Sequence, residues 1–294
     1  VDNPAFIDSA MHGGASLSYL NYLSTINQAS LAYAHRFDSL GFGSAYLRYF
    51  DYGTFQEIDE TGIELGQFKA VDYELGVSFA RSYKHGTTYG ATFKQVFSNM
   101  YRYFAYGAAI DLGAHYTSKS GNLMLGLTAD DIGLKLIDYT AGHHEWFPYS
   151  LNFGITKKFA KAPLVFAFQY SDVQQWDLAA VDQDAIDDVK TDPLTGKDER
   201  SVFTLDNFAR HLSASMLFVP NEKFNLFLGY NFRRRLELAT SERPALVGFS
   251  FGAQVKVKRF GIQYCITSYH ISGTSNHFGI TTNLNEWYSK RKAG

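Results

Sequence analysis

Three stretches near the C-terminus alternate strictly between apolar and polar positions. In 245–257, Val247, Phe249, Phe251, Ala253, Val255 and Val257 share one face, and Gly248, Ser250, Gly252, Gln254 and Lys256 the other. In 259–269, Phe260, Ile262, Tyr264 and Ile266 oppose Gly261, Gln263, Cys265 and Thr267. In 276–284, Phe278, Ile280 and Thr282 oppose His277, Gly279 and Thr281. A period of two is the mark of a strand with one apolar and one polar face. The same reading predicts fourteen strands, near 14–22, 27–37, 41–52, 71–81, 86–98, 103–117, 121–130, 148–158, 163–172, 210–219, 222–232, 245–257, 259–269 and 275–285. Tyr73, Leu75, Val77 and Phe79 typify the apolar series; Glu74, Ser78, Thr92, Lys94, Asp111, Asn152 and Asn231 typify the opposite face. The third strand alternates least clearly, with Tyr46, Arg48 and Phe50 against Ala45, Leu47 and Tyr49.

Alternation alone fits a soluble sandwich, apolar face inward, as well as a barrel with that face turned to lipid. Loop length separates the two. Connections after even-numbered strands are tiny, at 38–40, 82–85, 118–120, 160–162, 220–221 and 258. Those after odd-numbered strands include 53–70, 131–147, 173–209 and 233–244, with the first and fifth strands as exceptions. Outer-membrane barrels sort loops in this way, and a sandwich has no reason to. The expected fold is therefore all-β, a transmembrane antiparallel barrel of fourteen strands over 14–285. An irregular segment, 1–13, precedes it at or inside the periplasmic end, and a periplasmic tail, 286–294, follows. Closure requires the last strand to pair with the first.

Composition agrees. Charged residues are 19% and aromatics 16%, with 25 Gly, 25 Phe and 20 Tyr, a mixture suited to close strands and aromatic girdles. Tyr19, Tyr22, Tyr101, Tyr103, Tyr116, Trp146, Phe147, Tyr149 and Tyr170 fall near strand ends, as girdle residues do, although strands use aromatics generally. A net charge of −2 argues against nucleic acid. The single cysteine, Cys265, excludes an intramolecular disulfide and a cysteine-rich metal site. No apolar run approaches the ~18 residues of a membrane helix. Export to an outer membrane needs a leader, which is expected to precede residue 1.

Candidate chemistry is sparse. His143-His144-Glu145 could ligate a metal, but adjacent side chains of an extended segment point apart. Gly248-Phe-Ser-Phe-Gly252 spells a nucleophile elbow but lacks the strand-to-helix turn that an elbow needs. No catalytic residue, cofactor or metal is assigned. The acidic run in 173–209 matches no calcium loop and reads as solvated. Asp59-Glu60-Thr61-Gly62 marks a short hairpin above the membrane. Arg233-Arg234-Arg235, with Glu237, Glu242 and Arg243, suits an acidic partner or lipid phosphate. A self-neutralised ion network is the plainer alternative.

Asn3-Pro-Ala resembles the N-terminal motif of the FadL superfamily of fourteen-stranded barrels. More specific are Asp59-Glu-Thr-Gly62 with Gly66-Gln-Phe-Lys-Ala70 and Asp72-Tyr73, then Gly229-Tyr-Asn-Phe-Arg-Arg-Arg235 with Glu237. Arg243-Pro244, Gly248-Phe-Ser-Phe-Gly252, Ser272-Gly-Thr-Ser-Asn-His-Phe278 and Thr282-Asn-Leu284 complete the set. Together they resemble the PorV/PorQ family of the type IX secretion system. The resemblance implies a Gram-negative outer-membrane barrel, not an enzyme, with its long loops extracellular. It also implies a role docking the attachment machinery (PorZ first, with PorU and PorV) that processes cargo and links it to lipopolysaccharide. Outer-membrane lipid and lipopolysaccharide are the other implied contacts. Docking residues are expected on the outer loops: Asp59, Glu60, Trp146, Phe147, Trp176, Asp177, Arg233, Arg234, Arg235 and Arg243. The family's segment ahead of Asn3-Pro-Ala does not precede this motif here. A transporter of small hydrophobic molecules, with a Phe- and Tyr-lined pocket near the N-terminal segment, is the alternative, and a solute porin the third reading.

Overall fold

Alternation becomes sheet over most of its length. A computed structural model describes residues 3–23, 25–139, 146–178, 204–238, 246–270 and 273–288. The strands are β1 Gly14–Asn21, β2 Asn27–Phe37, β3 Gly41–Ile58, β4 Glu64–Ser82, β5 Thr87–Met100, β6 Tyr103–Thr117 and β7 Leu123–Ile137. They continue as β8 Ser150–Lys158, β9 Leu164–Tyr170, β10 Leu212–Asn221, β11 Phe224–Asn231, β12 Phe249–Val257, β13 Phe260–His270 and β14 Gly273–Asn283. Each pairs antiparallel with its sequence neighbour, and β14 returns to β1 with Leu17 opposite Ile280. Closure leaves the sheet no open edge around its girth, the solution open to strands in lipid.

The faces sort as lipid would require. Leu17, Leu31, Leu75, Val77, Leu127 and Phe168 stand exposed on the outside. Inside, Ser18 meets Ser30, Ser78 meets Thr92, Asn231 donates to Ser213, and Thr267 donates to Ser250. On β4 the outward series Tyr73, Leu75, Val77 and Phe79 ends at Arg81. That matches the ~9–11 residues with which a tilted strand crosses a bilayer, whereas β4 is 19 residues long. An aromatic row, Tyr49, Tyr73, Phe97 and Tyr106, crosses β3 to β6 in register at the upper edge of this band. At the opposite end Phe159 packs on Phe166, and Phe260 on Trp287 of the short helix α3, Asn285–Tyr288. The ambiguous third strand resolves the same way, with Leu47 outside and Tyr46 and Arg48 bound to Glu74 inside.

Several predicted boundaries move. The 53–70 connection is largely sheet, because β3 and β4 pair on to Ile58 and Glu64 around a tight tip. Segment 131–147 is not all loop: after a bulge at Asp130 and Asp131, β7 resumes pairing with β6 as far as Ile137. β12 begins at Phe249, not 245. Two helices interrupt the remaining connections, α1 Leu205–Arg210 and α2 Phe232–Leu238. Asn231 caps α2, its Oδ1 accepting the Arg234 N–H at 2.8 Å. No described helix is long and apolar enough to cross a membrane.

Candidate functional site: the lumen and the long-loop rim

The N-terminal segment lies inside the barrel. Asn3 caps a single 3-10 turn, Pro4–Phe6, with Oδ1 accepting the Ala5 N–H at 2.9 Å. Its Nδ2 donates to the wall carbonyls of Ala114 (3.4 Å) and Leu127 (3.5 Å). Pro4, Ala5 and Ile7 are buried, and the Phe6 ring lies 4.2 Å from that of His115. The wall makes room with glycine. Gly90 and Gly113 are cross-strand partners, and a Cβ on either would collide with Pro4 or Asn3.

Above this seat the lumen holds its charged groups in bonded clusters. Lys94 reaches Asp111 at 2.8 Å and Asp131 at 2.7 Å, its side chain 8% exposed. Asp111 Oδ1 also accepts the Asp131 N–H at 2.8 Å, which fixes the β7 bulge. Tyr52 and Ser98 both donate to Asp72. A cavity of about 610 Å³ opens beside the N-terminal segment, with Phe6 on its floor and Thr128, Asp130, Asn152, Ser213, Asn231 and Arg234 along its wall. Small and polar side chains share the lining with Phe6, Met124, Phe153, Phe168 and Tyr230. Among the described residues no three His, Cys, Asp or Glu gather as metal ligands.

Ser250 is the second residue of β12 and its hydroxyl accepts from Thr267 at 3.0 Å, so it stands on a strand wall, not on an elbow.

The rim at the long-loop end places the predicted docking residues in different roles. Asp59 builds the β3–β4 tip: one carboxylate oxygen accepts from the Thr61 N–H, the Thr61 hydroxyl and the Ile63 N–H. These bonds hold its carboxyl below the usual range, the Thr61 hydroxyl foremost. Glu60 is exposed beside it. Trp146 bridges to Leu134 and is 76% exposed. Phe147 corrects the girdle expectation, since its ring covers the inward-facing Gly107. Trp176 and Asp177 lie against β10 and α1. The Trp176 carbonyl faces His211 Nε2 at 3.2 Å, and Asp177 accepts from Asn207 at 3.3 Å.

Arg233 pairs with Glu237 (3.0 Å) and Asp172 (3.4 Å), and Arg210 pairs with Glu237 (3.4 Å) and Asp206 (2.8 Å). Arg234 instead stacks over Tyr269 at 3.7 Å, at the mouth of the cavity. Arg235 Nη1 is buried with no acceptor among the described residues. The rim is thus largely a self-neutralised network. Arg243, the paired histidines and most of the acidic 173–209 run lie outside the described residues. Sequence reasoning missed Asp172, Arg210 and His211, whose only signal was position at strand ends. It also missed Tyr101 and Arg102 as supports of Glu57 on the hairpin.

No family model matches the chain, and no curated protein matches it. Solved structures do. The toluene transporter TodX of P. putida is similar at a TM-score of 0.53 and 13% identity, over 92% of this chain and 89% of that one. A deltaS2 mutant of the TodX monoaromatic hydrocarbon channel gives 0.54 and 14%, over 95% and 91%. At such identity the likeness shows the fold alone, a closed antiparallel barrel of fourteen strands.

Proposed function

We propose that this chain is a non-enzymatic docking barrel of the outer membrane, a counterpart of PorQ in the type IX secretion system. It would hold the attachment machinery, PorZ first and PorU and PorV with it, where cargo is joined to lipopolysaccharide. The observation that carries docking is the build of the long-loop end. There the β3–β4 hairpin rises past the apolar band, and α1 and α2 are tied together through Arg210, Arg233 and Glu237. An elaborated, internally bonded rim is suited to receiving a partner. The motifs at 59–73, 229–237 and 272–284 supply the likeness to PorQ. On this reading the rim faces the outside, and the short turns and both ends of the chain face the periplasm.

The test is a pull-down of the intact barrel in mild detergent with mass spectrometry, alongside cargo anchoring in a deletion strain. Recovery of attachment components and loss of anchoring are expected. Normal anchoring in the deletion strain would overturn the reading.

Transport of small hydrophobic molecules is favoured by the likeness to TodX. The Asp130 carboxylate and the Arg234 guanidinium on the wall of the 610 Å³ cavity weigh against it. Unchanged uptake of monoaromatic hydrocarbons on deletion would remove it.

A further inference from the structure

The sheet does not stop at the aromatic row. Beyond Tyr49 and Tyr73, β3 and β4 continue as a two-stranded ribbon, paired from Thr54 and Lys69 to Ile58 and Glu64. Pairing of β2 with β3 ends at Asn27 and Asp51, and pairing of β4 with β5 ends at Ala70 and Met100. Both outer edges of the ribbon therefore lack a strand partner among the described residues. At about 3.4 Å per residue it extends on the order of 20 Å beyond the last paired rung of the wall.

Free edges of this kind are ordinarily blunted; this ribbon is stiffened instead. Phe55 stacks on Phe68 at 5.4 Å, and Phe68 packs on Tyr101 at 4.9 Å. The Tyr101 hydroxyl donates to Glu57, and Arg102 lies 3.9 Å from the same carboxylate. Asp59 closes the tip with its three hydrogen bonds. On this braced support Ile58, Ile63 and Leu65 are 56, 61 and 61% exposed. Glu60 and Glu64 are exposed beside them, without an ion pair among the described residues. Apolar side chains held ready on a stiff element lose little freedom on binding.

We propose that the 58–65 tip inserts into an apolar pocket, rimmed by lysine or arginine, on a partner protein. Charge selects this occupant: three carboxylates at one tip repel an anionic lipid surface and disfavour a tip-to-tip contact with a second copy. The proposal rests on the docking reading and says where docking occurs.

The experiment measures binding of the intact barrel in detergent to PorZ, the partner which that reading names, used as the probe. One variant carries Ile58→Ser, Ile63→Ser and Leu65→Ser; a second carries Glu60→Lys and Glu64→Lys. Lys119→Ala, exposed on the short β6–β7 turn at the opposite end of the barrel, is the control. Each variant is checked for the heat-modifiable gel mobility of a closed barrel. The apolar variant is expected to lose at least about tenfold in affinity. The charge variant should lose affinity and most of its salt dependence, while the control binds as wild type does. Wild-type binding that survives both tip variants overturns the tip and leaves docking intact. No binding by the wild-type barrel overturns docking, and the tip with it. A dimer that only the tip variants dissolve overturns the proposal in favour of self-association.

Discussion

Pro4 occupies the space that Gly90 leaves by having no side chain: a Cβ there would stand 2.5 Å from the Pro4 carbonyl carbon. A Cβ on Gly113, its neighbour across the strands, would stand 2.2 Å from Asn3 Oδ1. The wall and the N-terminal segment are thus fitted to each other over two strands, the segment's backbone against Gly90 and the Asn3 amide and Pro4 ring against Gly113.

Gly113→Leu is therefore expected to expel the segment while the barrel still closes, since overpacking costs about 1–3 kcal/mol and the displaced part is short. Chymotrypsin cleavage after Phe6 measures it. The wild-type segment, seated in the lumen, should resist, and the variant should be cut. Equal resistance, with unchanged conductance in planar bilayers, would refute the seat.

Lys94 is the cation for two carboxylates inside the lumen. Lys94→Met leaves Asp111 and Asp131 facing each other without it, and breaking a buried pair costs about 3–5 kcal/mol. Urea unfolding in detergent should show that loss, and Asp111→Asn added to Lys94→Met should restore part of it. A midpoint matching the wild-type barrel would mean that water already screens the pair.

Asp59 makes the hairpin tip pH-dependent. Its carboxyl titrates below the usual value, so its contribution is complete above the ordinary aspartate range. The contribution is lost as pH falls through the lowered folded value. The amide resonances of Thr61 and Ile63 should report this titration, with a midpoint below the ~3.9 of a free aspartate. Asp59→Asn should abolish it. A midpoint at or above the ordinary value would show that the three hydrogen bonds do not form.

Much of this was legible in the chain because strand faces repeat every two residues. The lipid face of β4, from Tyr73 to Phe79, and the closure of Asn276–Asn283 on β1 needed no knowledge of partners in space. The Asp59–Gly62 tip was legible from its turn chemistry. What escaped depended on through-space meetings. Nothing in the spacing of Gly90 and Gly113 announces a proline seated on both. Phe147 reads as an interfacial aromatic until Gly107 is seen beneath it. The Arg233 cluster could receive an anion or satisfy itself, and the answer lay in Asp172 and Arg210, 61 and 23 residues away in the chain. Helices α1 and α2 are too short for a periodic signal to reveal.

The outward face makes the last prediction. Val77 is 63% exposed at the middle of the β4 apolar series, two positions from Leu75 and from Phe79. Were that face wet, Val77→Arg would cost nothing. In lipid an arginine near the midplane of a barrel wall costs about 2–4 kcal/mol, falling toward zero at the interfaces. Ile63→Arg, on the ribbon beyond the band, is the matched control, equally exposed and equally apolar to begin with. Folding into phosphatidylcholine vesicles, followed by gel mobility across a urea series, separates them. The Val77 variant should unfold at markedly lower urea, and the Ile63 variant should track the wild-type barrel. Equal midpoints for all three would mean that the apolar band does not face hydrocarbon, and the membrane reading would fall with it.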